Sequence, residues 1–81
     1  MIDIEKRSKA LKLVSAIARD DFESMLREFP DGVTYRGEKY NKVEDFTEFT
    51  TFDSYVRFKM PIIRKLKVKC LERITRLLSD I

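Results

Sequence analysis

The sequence predicts a mainly α domain with one small β-hairpin, a single domain over residues 1–81. Three observations carry this. Apolar residues recur at three- and four-residue spacing over residues 3–29 and again over 61–81. Two short β-favouring pieces flank Arg36-Gly37-Glu38 between those stretches. No repeat, linker or low-complexity tract interrupts the 81 residues. The runner-up is an α+β domain in which residues 54–60 add a third strand.

From Asp3 to Phe29 the residues Ile4, Leu11, Val14, Ala18, Phe22, Met25, Leu26 and Phe29 share one stripe, the mark of an amphipathic helix. Asp20 followed by Glu23 matches a capping box, which would divide the stretch into helices at about 3–18 and 21–29; a single continuous helix fits the periodicity equally well. Ala10, Leu13 and Ile17 form a second apolar side. A domain of this length buries only roughly 60–65% of its unfolded surface, so burial on two sides is the stronger expectation and an interface the weaker one.

Phe29-Pro30-Asp31-Gly32 ends the helix, because the residue before Pro is pushed out of the α region. Val33-Thr34-Tyr35 and Lys39-Tyr40 then read as a hairpin, with Gly37 at positive φ and the Tyr rings packed inward. Asn41 is placed to cap a helix through Val43 and Phe46 toward Phe49, with Glu44 and Asp45 in its first turn. Phe46, Phe49, Phe52, Tyr55 and Phe58 recur every three residues, a spacing that drifts around an α-helix and calls for a break near Thr50-Thr51. Beyond the break, Asp53 or Thr51 can open a short helix, the preferred reading, while alternating Val56, Phe58 and Met60 would suit a strand. Pro61 suits the first turn of a last helix with Ile63, Leu66, Cys70, Ile74, Leu77, Leu78 and Ile81 on its apolar stripe. Lys65, Lys69, Arg73 and Arg76, with Glu72 among them, make a basic strip on the other side.

Composition excludes most catalysis. The chain has no His, no Trp and one Cys, so imidazole bases, His-paired nucleophiles and zinc sites beyond one thiolate are absent. Cys70 lies among cations but within the apolar stripe, where a free Cys behaves as a small hydrophobe. The clusters Asp20/Asp21 and Glu44/Asp45/Glu48 lack calcium-loop spacing and read as helix-start charges. With two glycines and no Gly-Lys-Ser/Thr, no phosphate-cradling loop forms. No enzyme activity, metal or cofactor is expected. A lone Cys, the lack of a signal-like start and apolar runs of two to three residues point to a cytoplasmic protein without a membrane span.

What remains is recognition. The net charge of +3 divides into −3 over residues 1–56 and +6 over residues 57–81. Such a patch attracts the phosphates of DNA or RNA, an acidic protein surface or anionic lipid head groups alike. The first expectation is a small nucleic-acid-binding accessory or regulatory protein: Arg57, Lys59, Lys65, Lys69, Arg73, Arg76 and Arg36 contact phosphates, and Tyr35 stacks on a base. The alternative is a phage- or plasmid-type interaction factor, an inhibitor or adaptor that presents residues 46–58 and the last helix to an acidic partner protein. Self-association into a homo-oligomer is a further expectation for a domain this small.

The stretch Val33-Thr34-Tyr35-Arg36-Gly37-Glu38-Lys39-Tyr40-Asn41-Lys42-Val43, followed by helix, turn and Tyr55-Val56-Arg57-Phe58-Lys59, resembles the hairpin plus helix-turn-helix DNA-binding repeats found with phage homing endonucleases. Tyr35, Gly37 and Tyr40 match the hairpin of that family, and the match covers about a third of the chain. The resemblance implies that Arg57 and Lys59 lie on a second, basic helix that enters or tracks a DNA groove. The family's usual Ser cap and Gly-containing turn are replaced here by Asn41-Lys42 and Thr50-Thr51.

Overall fold

A computed structural model describes residues 3–79. The order is α1 (Ile4–Ala18), α2 (Phe22–Glu28), β1 (Val33–Tyr35), β2 (Glu38–Tyr40), α3 (Val43–Thr47), α4 (Phe52–Ser54), a π-helical turn (Tyr55–Lys59) and α5 (Met60–Ser79). The chain is therefore mainly α with one hairpin, and residues 54–60 are helix rather than a third strand.

The first stretch is two helices. Asp3 caps α1, its carboxylate accepting from the backbone N–H of Glu5 at 2.9 Å and of Lys6 at 3.2 Å. At the other end Asp20 takes φ +53°, and the N–H of Asp21 reaches back to the carbonyl of Ala16 at 2.9 Å, so the last turn closes as a Schellman motif without glycine. The cap of α2 is Asp21, not Asp20: its carboxylate accepts from the backbone N–H of Ser24 at 3.2 Å and from the Ser24 hydroxyl at 2.8 Å. Those two bonds, the hydroxyl first, hold the Asp21 carboxyl below its ordinary range.

Gly32 ends the turn after α2 with φ +62°, and a Cβ there would stand 1.9 Å from the carbonyl oxygen of Tyr40. Both the backbone angle and the close approach require glycine. The strands pair antiparallel with Val33 opposite Tyr40 and Tyr35 opposite Glu38. Arg36 (φ +52°) and Gly37 (φ +81°) form the two-residue turn with both central residues left-handed, whose twist suits a hairpin. Asn41 does not cap α3. The Asp45 carboxylate instead accepts from the N–H groups of Asn41 and Lys42, each at 3.0 Å, and the helix stops at Thr47, before Phe49.

Pro61 does not open a separate helix. Helix runs without a gap from Phe52 to Ser79, and the N–H of Met60 bonds to the carbonyl of Tyr55 five residues back. Pro61 has no N–H, and its ring crowds the carbonyl four residues earlier; the wide turn just upstream relieves that crowding.

The core is Ala10, Leu13 and Ala16 of α1, Phe22, Met25 and Leu26 of α2, Val33, Phe46, and Ile62, Leu66, Cys70 and Ile74 of α5. Phe22 and Phe46 stack with centroids 5.4 Å apart. Tyr35, Tyr40, Ile17, Phe29, Ile63 and Leu77 pack at its edge. Of the two sides of the first helix expected to be buried, only the one with Ala10, Leu13 and Ile17 is. Ile4, Leu11 and Val14 face out, at 79%, 63% and 47% exposure, and Ala18 is exposed with them. The core side is the one with Ala10 and Ala16, whose small side chains let α5 and α2 approach closely, while Leu13 fills the space between. In α5, Ile62 joins the core and Leu78 faces out; Ile81 lies outside the described residues.

Candidate interaction surface

α1 and α5 are antiparallel. Asp20, just past the end of α1, pairs with Lys67 in the first half of α5 at 2.5 Å. Lys9, in the first half of α1, meets Glu28 at 3.1 Å, and Glu28 also holds Arg73 in the second half of α5. α2 and the hairpin cover one side of this helix pair.

The expected basic strip faces that covered side. Lys65 donates to the carbonyl of Thr34 at 2.6 Å, and Lys69 donates to the carbonyl of Gly32 at 2.5 Å. Arg73 donates to the Glu28 carboxylate, and Lys69 and Arg73 also lie over the Phe29 ring, at 5.4 and 4.9 Å from its centroid. Lys59 donates to the carbonyl of Asp45 at 2.6 Å, and Arg57 pairs with Asp53 at 3.0 Å on the surface. Tyr35 is half-buried beneath Arg36 and Lys65, whose charges sit 5.3 and 5.7 Å from its centroid. Of the eight residues expected to contact nucleic acid, Arg36 and Arg76 have no hydrogen-bond or carboxylate partner among the described residues. The other six are engaged within the fold: Lys59, Lys65, Lys69 and Arg73 fasten α3, the hairpin and α2 to the last helical run, Tyr35 packs under two of the cations, and Arg57 pairs within its own helix.

The outward sides of α1 and α5 each expose large apolar residues, with Ser8, Lys12 and Ser15 among them on α1. On α1 the apolar residues are Ile4, Leu11 and Val14; on α5 they are Met60, Leu71 and Leu78, with Val68 beside them. Positions 60, 64, 67, 71 and 78 share a side by helical spacing. The π-turn brings Phe52 and Val56 into the same line at four-residue steps, with Phe52 78% exposed. In a regular α-helix the same five residues would turn Phe52 roughly 100° away, because the π-turn advances less per residue. Tyr55 and Lys59 then point inward; the Tyr55 ring contacts Phe49 at 4.9 Å. Sequence reasoning had the signal, since Ile4, Leu11 and Val14 were on one stripe, but assigned that stripe to the core.

Charge on these outward sides is mostly positive. Arg7, Arg64 and Lys67 lie within or beside the apolar residues, and Asp20 offsets Lys67. Arg7 and Arg64 have no polar side-chain partner among the described residues. Asp3, at the tip of α1, is engaged in capping.

Chemically reactive groups are few. Cys70 is fully buried, and burial pushes its thiol up to about 11, with the nearby Glu28 acting in the same direction. Among the described residues no group of three or more Cys, Asp and Glu is placed to hold a metal ion, and no helix is long and apolar enough to cross a membrane. Compared with protein-family models, curated proteins and solved structures, the chain matches none.

Proposed function

We propose that the chain is a small non-enzymatic protein-interaction factor, an inhibitor or adaptor, that holds an acidic partner protein on the outward sides of α1 and α5. The observation that carries this is the number of large apolar side chains left exposed along the last helix and its π-turn, Phe52, Val56, Met60, Leu71 and Leu78, with Ile4, Leu11 and Val14 exposed on α1 and the cations Arg64 and Lys67 between Met60 and Leu71. Large aromatic and aliphatic side chains with Arg at hand are the residues that anchor protein interfaces. The nucleic-acid reading keeps Arg36, over the Tyr35 ring, and Arg76 as cations without a carboxylate partner among the described residues, and competes on that ground.

Site-specific photo-crosslinking separates the two. A photoreactive residue at Leu71 or Phe52 is expected to capture protein in cells, and the same residue at Arg36 or Arg76 to capture neither protein nor nucleic acid. Binding of labelled DNA or RNA at physiological salt that is lost in Arg36→Ala/Arg76→Ala would instead favour the nucleic-acid reading.

A further inference from the structure

Resting on that reading, we infer that the cavity between α3, the π-turn, α5 and the corner joining α1 to α2 receives an aromatic side chain of the partner protein, with the peptide on either side of it held by the Asp20–Lys67 pair. The cavity measures about 320 Å³, at the small end of the ~300–1,000 Å³ of ligand sites and enough for one ring with its adjoining backbone. α3 ends at Thr47 and helix resumes at Phe52, so Phe49 lies on the irregular link between them, 51% exposed. The π-turn directs Tyr55 inward, where its ring lies 4.9 Å from that of Phe49 and tilted 51° to it. Wide helical turns of this kind are frequent at functional sites.

Rings select the occupant. Besides Phe49 and Tyr55, the cavity is lined by Phe22 and Phe46, both buried and stacked 5.4 Å apart, together with Ile63. Two aromatic pairs present ring faces and edges to whatever enters, and a ring that meets them offset or edge-on gains more than aliphatic surface of equal area. The lining also holds both hydrogen-bond senses. Asp20 and Lys67 pair at 2.5 Å, which leaves the carboxylate 62% exposed with lone pairs to spare and the ammonium with further N–H donors. A backbone N–H on one side of the anchor residue can donate to Asp20, and a carbonyl on the other side can accept from Lys67. The pair is neutral as a whole, so charge does not choose the anchor. Lys67 also shares the outward side of α5 with Met60, Arg64 and Leu71, so the cavity adjoins the exposed apolar residues on which the interaction reading rests.

The test titrates the full chain, labelled for NMR, with N-acetyl-phenylalaninamide, N-acetyl-cyclohexylalaninamide and free phenylalanine. Shifts caused by the first should centre on the Ile63 methyl groups and the amides of Thr47, Phe49 and Tyr55, and the cyclohexyl probe should bind about threefold or more weakly. Phe49→Ala should weaken the aromatic probe about tenfold. Thr47→Trp, at an exposed position of the lining, should fill the cavity with a ring of the chain itself and abolish binding, with the melting temperature unchanged or raised. Shifts that do not saturate or that centre elsewhere, equal binding of the two blocked probes, undiminished binding to folded Thr47→Trp, or tighter binding of free phenylalanine than of its blocked form would each overturn the inference, the last by assigning the cavity to a free amino acid. Protein crosslinks from Leu71 or Phe52 combined with no binding of the aromatic probe would overturn the anchor while leaving the protein-interaction reading in place. Binding of the probe without any protein crosslink would overturn that reading, and with it the partner.

Discussion

The last helix has two long sides that handle the same solvent in opposite ways. Toward the hairpin and α2 it carries Lys65, Lys69 and Arg73, and each of these charges is spent on a carbonyl, a carboxylate or an aromatic face within the fold. Toward the outside it carries Met60, Leu71 and Leu78, which nothing covers. Long cationic side chains can lie along apolar surface and deliver their charge to a backbone acceptor, so a basic strip can be structural cement. An apolar strip in water has no such internal use. On this helix the side that looks functional by charge is the side that holds the domain together.

The contrast can be broken most severely from its core edge. Leu66 is fully buried between the two sides, and Leu66→Ala should cost about 2–5 kcal/mol of unfolding free energy in urea titrations. Next comes the cation side: Arg73→Leu leaves the largely buried Glu28 carboxylate with only the half-exposed Lys9, a loss of about 1–3 kcal/mol. A Glu28→Gln/Arg73→Leu double variant should recover part of that loss, read in the same titration. A smaller effect appears with pH at Cys70. Its folded thiol is raised from the ordinary 9.0 to about 11, so the stability it contributes is fully present below pH 9 and falls as pH rises toward 11. Cys70→Ala should remove that alkaline slope in melting temperature, and the native thiol should resist alkylation at pH 8. The smallest effect belongs to the outer side, where Leu71→Glu and Phe52→Ser should change stability by no more than about 0.5 kcal/mol. A large loss there would mean that these side chains are core, and the contrast between the two sides would dissolve.

Much of this was legible in the residues. Periodicity located the helices, Gly37 located the hairpin turn, and the break at Thr50-Thr51 separates α3 from α4. What the residues concealed follows from packing. On α1 the bulkier stripe of Ile4, Leu11 and Val14 attracts any reading by hydrophobicity, yet the side with Ala10 and Ala16 wins because small residues permit close helix contact. The same mistake of sign affects the cations, since a Lys Nζ that reaches a carbonyl 31 or 37 residues away leaves no local mark in the sequence. The π-turn was equally hidden, although the three-residue spacing of aromatics and Pro61 were its visible parts.

The antiparallel pairing of α1 with α5 also fixes when the domain can exist. About fifty residues separate Ala10 and Leu13 from the partners that bury them, whereas α2 and the hairpin lie in between and supply only part of the cover. Closing so long a loop must precede the contacts that reward it, which raises contact order above that of a bundle built from sequence neighbours. During synthesis, α1 therefore emerges with both of its apolar sides open to water. One is covered when α5 arrives, and the other stays open in the finished fold.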